Sequence, residues 1–503
     1  MQDGFVRLTA AEAAAMISNG DAVGFGGFTT SGVPKAMAAA LAAHATAERD
    51  AGRKFRLNVH TVSTGPAFDG ALAAADAIAR RAPWQSDSTL RRKINAGEVP
   101  FCDLHLSHVT QALRYGWFGS LDWAIIEAAE VSGEGDILLT SAVGAAPSLC
   151  NAARRVIVEL NHHHPPALRG LHDIWEPADP PHRREIPIYS AADRIGAPVF
   201  RVPAAKIAGI VEANAPDPGT AFAEPDDTML RIGRNVTEFL AAQLRAGRIP
   251  ASFLPVQSGV GDIANAVLGA MGEHPEIPAF DMYTEIAQNA VVRLMESGRV
   301  RFASCTAFTM SPDALARIYG NLDWFKPRLV LRPQELTNHP EIVRRIGVIA
   351  MNTALEADLF GNVNSTHLFG RSMMNGIGGS GDFTRNAYLS IFTCPSTAKG
   401  GKISTIVPMA SHVDHSEHDV QVLATEWGVA DLRGLAPRER ARAVIENCAH
   451  PDYRDALRAY VRLASTGHTP HTLRAALEFH ERFEQTGDMR GVQFDGAAGA
   501  AQA

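Results

Sequence analysis

Short glycine-rich segments that follow apolar runs and precede helical patterns constrain this chain more than any other feature of its sequence. The first, residues 24–32, overlaps an apolar run that starts at Ala22 and leads to Pro34, a favourable first residue for a helix. The second, residues 259–261, lies between the apolar run 253–256 and a helical pattern over 265–271. Strand, glycine loop and helix form the unit of an open parallel α/β sheet. Two such units predict an α/β fold with two open, mainly parallel sheets.

Other patterns divide the chain into two parts. The proline-rich segment 214–227 is typical of a linker between domains. We therefore predict an N-terminal domain of residues 1–225 and a C-terminal domain of residues 226–503, which together can bury a large core without disulfides. The remaining predicted elements are strands at 56–62, 123–130, 155–159 and 403–409, and helices at 10–18 and 228–244.

The composition excludes several classes of protein. The chain has 47 Lys plus Arg against 54 Asp plus Glu and a net charge of −7, whereas a nucleic-acid binder carries a basic excess. Its five cysteines lie far apart without a CxxC pair, which suits a reducing compartment better than a disulfide framework. The sequence has no apolar run of membrane-spanning length and no signal-peptide pattern. We expect a cytoplasmic protein with no membrane or nucleic-acid partner.

Glycine loops before helices have two interpretations. The free N–H groups at a helix start favour a phosphate or carboxylate, but a tight turn that needs positive φ uses the same residues. A third loop, residues 376–381, contains the pattern GxGxxG. A dinucleotide fingerprint also needs a preceding strand and a later acidic residue, whereas residues 370–374 are a poor strand and 399–402 are basic. Three loops together favour a nucleotide-like ligand, without a Rossmann fingerprint.

A cluster of histidines and acids at residues 412–418 offers a second candidate site. A metal centre is one interpretation, since histidine and carboxylate side chains bind zinc. Side chains three positions apart align only on a helix, whereas the strand pattern over 403–409 runs into a polar turn, which favours hydrogen-bonded structural histidines. A second histidine run, at 162–164, precedes two prolines and predicts an exposed loop, so we expect no metal site. The clustered residues are His412, Asp414, His415, Glu417 and His418.

Glu285 lies where an apolar strand pattern gives way to a helical pattern that starts at Ala287. One interpretation is an ordinary acid in the first turn of the helix, where it complements the helix dipole. The other is a carboxylate at the carboxyl end of a sheet strand, where open α/β folds bind their ligands. A carboxylate near a helix N-terminus is expected to stay ionised and to be available as a nucleophile.

Long segments of the chain, taken in order, resemble the acetyl-CoA hydrolase/transferase family, the succinyl-CoA:acetate CoA-transferase-like class I CoA-transferases. The resemblance implies CoA-transferase-type domains packed around an interdomain cleft, and a homodimer. In the N-terminal half it rests on residues 26–29 (GGFT), 32–35 (GVPK), 63–66 (STGP) and 94–99 (INAGEV). In the C-terminal half it rests on 257–261 (QSGVG), 264–267 (ANAV), 283–285 (YTE), 332–335 (RPQE), 338–341 (NHPE), 361–366 (GNVNST), 376–383, 413–415 (VDH) and 425–432 (TEWGVADL).

The resemblance also implies roles for individual residues. Glu285 is the expected catalytic glutamate, which attacks an acyl-CoA thioester and passes through an acyl-glutamyl anhydride and a glutamyl-CoA thioester. The oxyanion is expected at the N–H groups of Val260 and Gly379, with Asn338 near the reacting carbonyl and Glu426 supporting the site. CoA is expected as a substrate, with no permanently bound cofactor. Its expected contacts are Gln257, Ser258, Gly259, Val260, Gly261, Asn375, Gly379 and Lys399, and those of the acid are Ser63 and Ser86.

Two positions depart from the family pattern. Asp262 follows the second glycine loop where the family usually has asparagine, which adds an acid near the CoA loop. Pro218 follows Asp217 where relatives that use succinate often have an arginine, a bidentate partner for a second carboxylate. Among acetate, propionate and succinate, the sequence therefore favours a monocarboxylate. An acyl-CoA hydrolase that uses the same glutamate and a non-catalytic CoA-binding α/β protein remain as alternatives.

Overall fold

The computed structural model describes residues 4–464 and 466–494, and its α/β fold contains two large sheets. The strands of the first sheet are β1 (Arg7–Leu8), β2 (Ala22–Phe25), β3 (Leu57–Thr64), β4 (Ile78–Gln85), β5 (Leu121–Val131), β6 (Asp136–Leu139), β7 (Ala153–Asn161), β8 (Phe200–Arg201) and β9 (Ile207–Ala213). The strands that follow are β10 (Val256–Ser258), β11 (Phe280–Tyr283), β12 (Ile286–Ala287), β13 (Val300–Cys305), β14 (Ala307–Phe308), β15 (Leu329–Leu331), β16 (Ile349–Thr353), β17 (Glu356–Asp358), β18 (Val363–Asn364), β19 (His367–Leu368), β20 (Ser372–Met373), β21 (Leu389–Thr393), β22 (Thr397–Ala398), β23 (Ile403–Ser404), β24 (Ile406–Val407), β25 (Val422–Thr425) and β26 (Gly428–Asp431).

Both large sheets are mainly parallel. The first has the order β1-β9-β7-β5-β2-β3-β4, parallel throughout, with β6 added antiparallel beside β5 and β8 antiparallel beside β6. The second has the order β15-β13-β11-β10-β16-β21-β25-β26, in which only β25 and β26 pair antiparallel. Central strands such as β5 are buried almost along their whole length, as expected where helices cover both faces of a parallel sheet. The predicted fold class is confirmed.

Helices connect and cover these strands. The longest, α7, is amphipathic: the Asp226 side chain accepts from the N–H of Met229 at its start, and Ile232, Val236 and Leu240 are buried on one face. The helices are α1 (Ala10–Ala15), α2 (Lys35–Asp50), α3 (Pro66–Ala74), α4 (Ser88–Asn95), α5 (Val109–Arg114), α6 (Ala146–Ala152), α7 (Asp227–Arg245), α8 (Asp262–Glu273), α9 (Asn289–Glu296), α10 (Pro312–Gly320), α11 (Leu322–Phe325), α12 (Gln334–Thr337), α13 (Pro340–Ile346), α14 (Ser380–Thr384), α15 (Pro437–Asn447), α16 (Pro451–Leu463) and α17 (Glu478–Thr486).

Several predicted elements have different ends in the structure. The strand predicted at 253–256 begins only at Val256, because Phe253 has φ +60° and cannot extend a strand. The helix predicted at 265–271 extends over Asp262–Glu273. The strand predicted at 403–409 is divided into the two short strands β23 and β24.

The predicted linker is anchored by a buried carboxylate. Asp217 accepts hydrogen bonds from the N–H of Gly32 (3.2 Å) and from Ser141, and its Oδ1 lies 2.8 Å from Lys35 Nζ. These contacts hold the segment against the first sheet. The boundary at residue 225 stays a prediction.

The prediction of an exposed loop at 162–164 is wrong for His164, which is buried between the two halves. Its Nδ1 lies 2.6 Å from Tyr319 Oη and its Nε2 lies 3.3 Å from Glu127 Oε1. His164, Glu127 and Asp217 form the one group within the described residues whose ligand atoms are spaced for a metal ion. Lys35 Nζ lies 2.6 Å from Glu127 and 2.8 Å from Asp217, so an ammonium group already supplies the positive charge there.

The histidine cluster at residues 412–418 makes hydrogen bonds to neighbouring side chains. His412 Nε2 lies 3.2 Å from Asp414, and His415 Nε2 lies 3.1 Å from Ser380 Oγ and 3.3 Å from Ser365 Oγ. The segment forms turns rather than a helix. Across the described part of the chain, no helix combines the length and the apolar character needed to cross a membrane.

Candidate active site

Glu285 lies where the two halves of the molecule meet. Its carbonyl accepts from the N–H of Thr306 (2.8 Å), and the carbonyl of Thr306 accepts from Val143 of the first half (2.9 Å). The residue follows β11 at the carboxyl end of a parallel strand, where open α/β sheets bind ligands. The prediction of a helix at Ala287 is wrong, because that residue belongs to β12 and α9 begins at Asn289. Glu285 is therefore not a first-turn acid.

The electrostatic state of Glu285 also differs from the expectation of a carboxylate stabilised by a helix dipole. Burial raises the pKa of the Glu285 carboxyl to about 7, a hydrogen bond from Asn338 opposes this rise, and the charge of Asp382 adds to it. The side chain keeps limited contact with solvent through the adjoining cavity. Near neutral pH the carboxyl group can thus change between its protonated and ionised forms.

Asn338 connects Glu285 to a second buried acid. Its Nδ2 donates to Glu285 Oε2 (2.6 Å) and to Asp382 Oδ2 (3.3 Å), while its Oδ1 accepts from Thr337 Oγ1 (2.9 Å). Asp382 in turn accepts from the N–H and the hydroxyl of Ser107, at 2.9 and 2.6 Å. Burial raises the pKa of Asp382 to about 7 despite these hydrogen bonds. Two acids of similar pKa thus share one amide group.

A cavity of about 270 Å³ opens beside Glu285 between the two halves. The first half contributes residues from four strand or loop ends, and the second half contributes the glycine loops and the end of β16. The residues that line it are Thr29, Ser63, Trp84, Leu106, Gln257, Ser258, Gly259, Val260, Glu285, Ile286, Asn352, Thr353, Ser365, Asn375, Gly376, Ile377, Gly378, Gly379, Ser380 and Phe383.

The second glycine loop is held at both ends by one side chain. Gln288 Oε1 accepts from the N–H of Gly261 (3.1 Å), and Gln288 Nε2 donates to the carbonyl of Gly259 (2.7 Å). Gly261 has φ +123°, a conformation that favours glycine. Val260, at the centre of the loop, is exposed, and within the described residues its N–H donates no hydrogen bond.

The third glycine loop packs directly on the catalytic candidates. A Cβ atom on Gly379 would lie 1.9 Å from Glu285 Oε2 and 2.3 Å from Asn338 Nδ2, so only glycine fits there. The N–H of Gly379, like that of Val260, has no acceptor among the residues that the structure describes. The loop is fixed from the first half by Asp103, which accepts from the N–H of Ile377 at 2.9 Å.

The predicted site residues fall into two groups. Asn338 contacts Glu285, and the residues that line the cavity are Ser63, Gln257, Ser258, Gly259, Val260, Asn375 and Gly379. Gly261, Ser86, Lys399 and Glu426 do not line it. Lys399 lies in the turn between β22 and β23 with its Nζ 5.0 Å from the centre of the Phe483 ring, and Glu426 accepts from the N–H of Ser396 at 2.9 Å. The roles assigned to the residues of both groups stay predictions.

Sequence reasoning missed several residues at the site. Thr29 lines the cavity with φ +53°, an unusual conformation for a β-branched residue, and its hydroxyl lies 2.6 Å from Thr309 Oγ1. Asn352, which lines the cavity, donates to Gln257 Oε1 (3.3 Å). Asp382 lies inside the recognised glycine-loop motif, so its position was a usable signal, whereas nothing in the local sequence identifies its partner Ser107.

Two family models match the chain. The acetyl-CoA hydrolase/transferase N-terminal domain matches residues 2–212, and the C-terminal domain of the same family matches residues 315–461.

Curated relatives match the chain over almost its entire length. A propanoyl-CoA:succinate CoA transferase of Escherichia coli is 49% identical over 98% of this chain and 100% of its own. A succinyl-CoA:acetate CoA-transferase of Clostridium kluyveri is 46% identical, with 96% and 90% of the two chains covered. An acetyl-CoA hydrolase of Schizosaccharomyces pombe is 42% identical, with 94% of each chain covered.

Solved structures agree in fold. RipA from Yersinia pestis superimposes with a TM-score of 0.69 at 23% identity, covering 90% of this chain and 96% of its own. A 4-hydroxybutyrate CoA-transferase from Porphyromonas gingivalis gives a TM-score of 0.62 at 22% identity, with 91% and 97% covered.

Proposed function

The chain belongs to the acetyl-CoA hydrolase/transferase family, and from that premise we propose that it transfers CoA from a short-chain acyl-CoA to a small carboxylate through Glu285. It is an enzyme whose relatives are named CoA-transferases and acetyl-CoA hydrolases. The observation that carries the proposal is the position of Glu285: a carboxyl group with a pKa near neutrality, hydrogen-bonded by Asn338, at a cavity between two α/β sheets. The glycines in the loops around Glu285 leave room for a substrate thioester to approach.

The proposed reaction uses Glu285 as a covalent nucleophile. Its carboxylate attacks the thioester carbonyl, the C–S bond breaks, and CoA thiolate leaves behind an acyl-glutamyl anhydride. The thiolate then attacks the glutamyl carbonyl, which releases the donor acid and forms a glutamyl-CoA thioester. The acceptor carboxylate reverses both steps and leaves as the new acyl-CoA. Covalent catalysis divides one difficult exchange into easier steps and keeps the energy of the thioester.

Each addition step creates an oxyanion, which calls for fixed hydrogen-bond donors in a water-poor site. Val260 and Gly379 line the cavity on two different loops, and no described residue accepts from the N–H of either. Their free N–H groups support the proposal that they bind the oxyanions. The Asn338 amide, 2.6 Å from Glu285 Oε2, is proposed to orient the attacking carboxylate.

Two adjoining cavities support a proposed path for CoA. A second cavity of about 170 Å³ shares Thr353, Ser365 and Asn375 with the first. Arg91 lines it, and its guanidinium donates to the carbonyl of Met374. We place the polar part of the CoA tail along this second cavity, with the thioester at Glu285, so that binding energy far from the reacting atoms helps to orient them.

The acid substrate is proposed to be a monocarboxylate such as acetate or propionate. Beyond Thr29 lies a small space of about 20 Å³, lined mainly by apolar groups that include Phe68 and Pro218. Lys35 also borders it, but this ammonium is already paired with Glu127 and Asp217 and is a poor partner for a second carboxylate. Succinate would bring an uncompensated charge into this space, which is costly.

Hydrolysis is the second candidate, because an acetyl-CoA hydrolase is among the relatives and Glu285 keeps some contact with solvent. Transfer requires that water be kept from the anhydride and the glutamyl thioester. We expect acetyl-CoA to be consumed much faster with propionate present than without it, and propionyl-CoA to form in equal amount. The measurement is chromatographic separation of both acyl-CoA species and free CoA over time. Acetate, propionate and succinate are each tested as the acceptor, with a donor acyl-CoA whose acyl group differs from the acceptor. Release of free CoA at the same rate with and without acceptor would assign the enzyme to the hydrolases, and no turnover at all would favour a binding protein.

The pH dependence of kcat/KM follows from the state of Glu285. Only the ionised carboxylate attacks, and burial raises its pKa to about 7, so the ionised fraction increases as pH rises through this value. We expect kcat/KM for acetyl-CoA to fall about tenfold for each pH unit below the pKa and to level off above it. The measurement is the pH profile between pH 5 and 9 in constant-ionic-strength buffers; a flat profile down to pH 5 contradicts the proposed role of a buried, protonatable Glu285.

A further inference from the structure

Asp382 is a buried acid that the proposed reaction does not use, yet it contacts the same amide group as Glu285. Asn338 Nδ2 carries two hydrogens, and the two carboxylates accept at 2.6 Å (Glu285) and 3.3 Å (Asp382). Asn338 is fully buried and Asp382 is 4% exposed. When one N–H of the Asn338 amide is held by Asp382, the direction of its other N–H is fixed as well. That other N–H points to Glu285.

Asp382 itself is fixed from the opposite half of the molecule. Ser107 donates both its N–H (2.9 Å) and its hydroxyl (2.6 Å) to the carboxylate. Its neighbour His105 packs against Gly381, where a Cβ atom would lie 2.3 Å from the imidazole ring. Leu106 also donates its N–H to the carbonyl of Gly378 (3.3 Å). The segment 105–107 of the first half therefore determines where Asp382 lies.

We propose that Asp382 is a positioning residue, which orients the Asn338 amide toward Glu285 and depends on Ser107 of the first half for its own position. The inference rests on the proposed role of Glu285. It adds that the arrangement of the catalytic carboxylate is coupled to the contact between the two halves. When Ser107 is displaced, Asp382 loses two of its donors and Asn338 loses its fixed acceptor.

Two substitutions separate the position of Asp382 from its charge. In Asp382→Asn the side-chain oxygen can still accept from Ser107 N and Asn338 Nδ2, while the new NH₂ group donates to Ser107 Oγ, which can also accept. This variant keeps the geometry and removes the negative charge. In Asp382→Ala this acceptor is lost, and the Asn338 amide keeps only its hydrogen bonds with Glu285 and Thr337.

We expect Asp382→Ala to lower kcat about 10- to 100-fold with KM for acetyl-CoA little changed, as for a misplaced reacting group. Asn338→Ala combined with Asp382→Ala should lose no more than Asn338→Ala alone, because Asp382 acts only through Asn338. Asp382→Asn should keep most of kcat, because its amide oxygen preserves the acceptor for Asn338 Nδ2. The exposed Asp313→Asn serves as a matched control and should leave kcat unchanged.

Three outcomes would overturn the proposal. These are a folded Asp382→Ala enzyme with unchanged kcat, multiplicative effects of Asp382→Ala and Asn338→Ala, and an Asp382→Asn enzyme whose kcat falls about 10- to 100-fold, as expected of Asp382→Ala. The last test holds even where Asp382→Ala does not fold. A crystal structure of Asp382→Ala with the distance from Asn338 Nδ2 to Glu285 Oε2 still near 2.6 Å would count against it as well. Full activity in Glu285→Gln would instead overturn the proposed function, so the two failures are distinguishable.

Discussion

Glu285→Gln is expected to lower kcat for CoA transfer about 10⁴-fold or more, the scale found when a covalent nucleophile is removed. Glutamine has nearly the same shape and its amide oxygen can still accept from Asn338 Nδ2, but it cannot form the anhydride. The fold should be unaffected, because a neutral group replaces one whose burial already disfavours its charge. The measurement is propionyl-CoA formation from acetyl-CoA and propionate. The exposed Glu273→Gln, at the end of α8, is the matched control and should keep full activity.

A covalent adduct on the same residue provides the positive counterpart. Incubation of the wild-type enzyme with acetyl-CoA, followed by rapid quenching and peptide mass analysis, should give a peptide containing Glu285 that carries the mass of CoA less one water. Glu285→Gln should give no such peptide. An adduct on another residue, or substantial transfer by Glu285→Gln, would contradict the proposed mechanism.

The fold was predictable where a segment carries its own pattern. The apolar run at Ala22–Phe25 and the helical period of α7 are local properties, and both elements lie close to where the pattern predicts them. Glycine loops are also local, because a positive φ such as that of Gly261 requires a residue without a side chain. Element ends were less predictable, since a single residue such as Phe253 in a left-handed conformation delays the start of a strand.

Only the resemblance to known sequences made residues of the site predictable. Glu285 and Asn338 are 53 positions apart, and no periodicity connects them, yet the resemblance identifies both and the structure brings them within 2.6 Å. The contact between Ser107 and Asp382 spans 275 positions and depends on how the two halves pack. The pKa of Glu285 depends on tertiary structure in the same way: burial and the charge of Asp382 raise it, whereas the sequence indicated an ionised carboxylate beside a helix.

Gly379→Ala is expected to remove most activity through one methyl group. The added Cβ would lie 1.9 Å from Glu285 Oε2 and 2.3 Å from Asn338 Nδ2, so the carboxylate, the amide or the loop has to move. A displacement of about 1 Å at reacting groups costs about 10²-fold in rate, and here the N–H proposed for the oxyanion moves as well, so we expect a loss of kcat of about 10²- to 10³-fold. Overpacking of this kind also costs about 1–3 kcal/mol in the free energy of unfolding.

Gly269→Ala is the matched control for that substitution. Gly269 lies within α8 and nothing comes within 4 Å of its Cβ position, so alanine should raise the free energy of unfolding by about 0.5–1 kcal/mol and leave kcat unchanged. Measuring kcat and urea unfolding for both variants separates loss of the site from loss of the fold. Because Gly379 has φ −90°, alanine there meets no backbone strain, and any defect of Gly379→Ala reports the crowding against Glu285 and Asn338. A Gly379→Ala enzyme with wild-type kcat would mean that the carboxylate works in another position than the one it occupies in this structure.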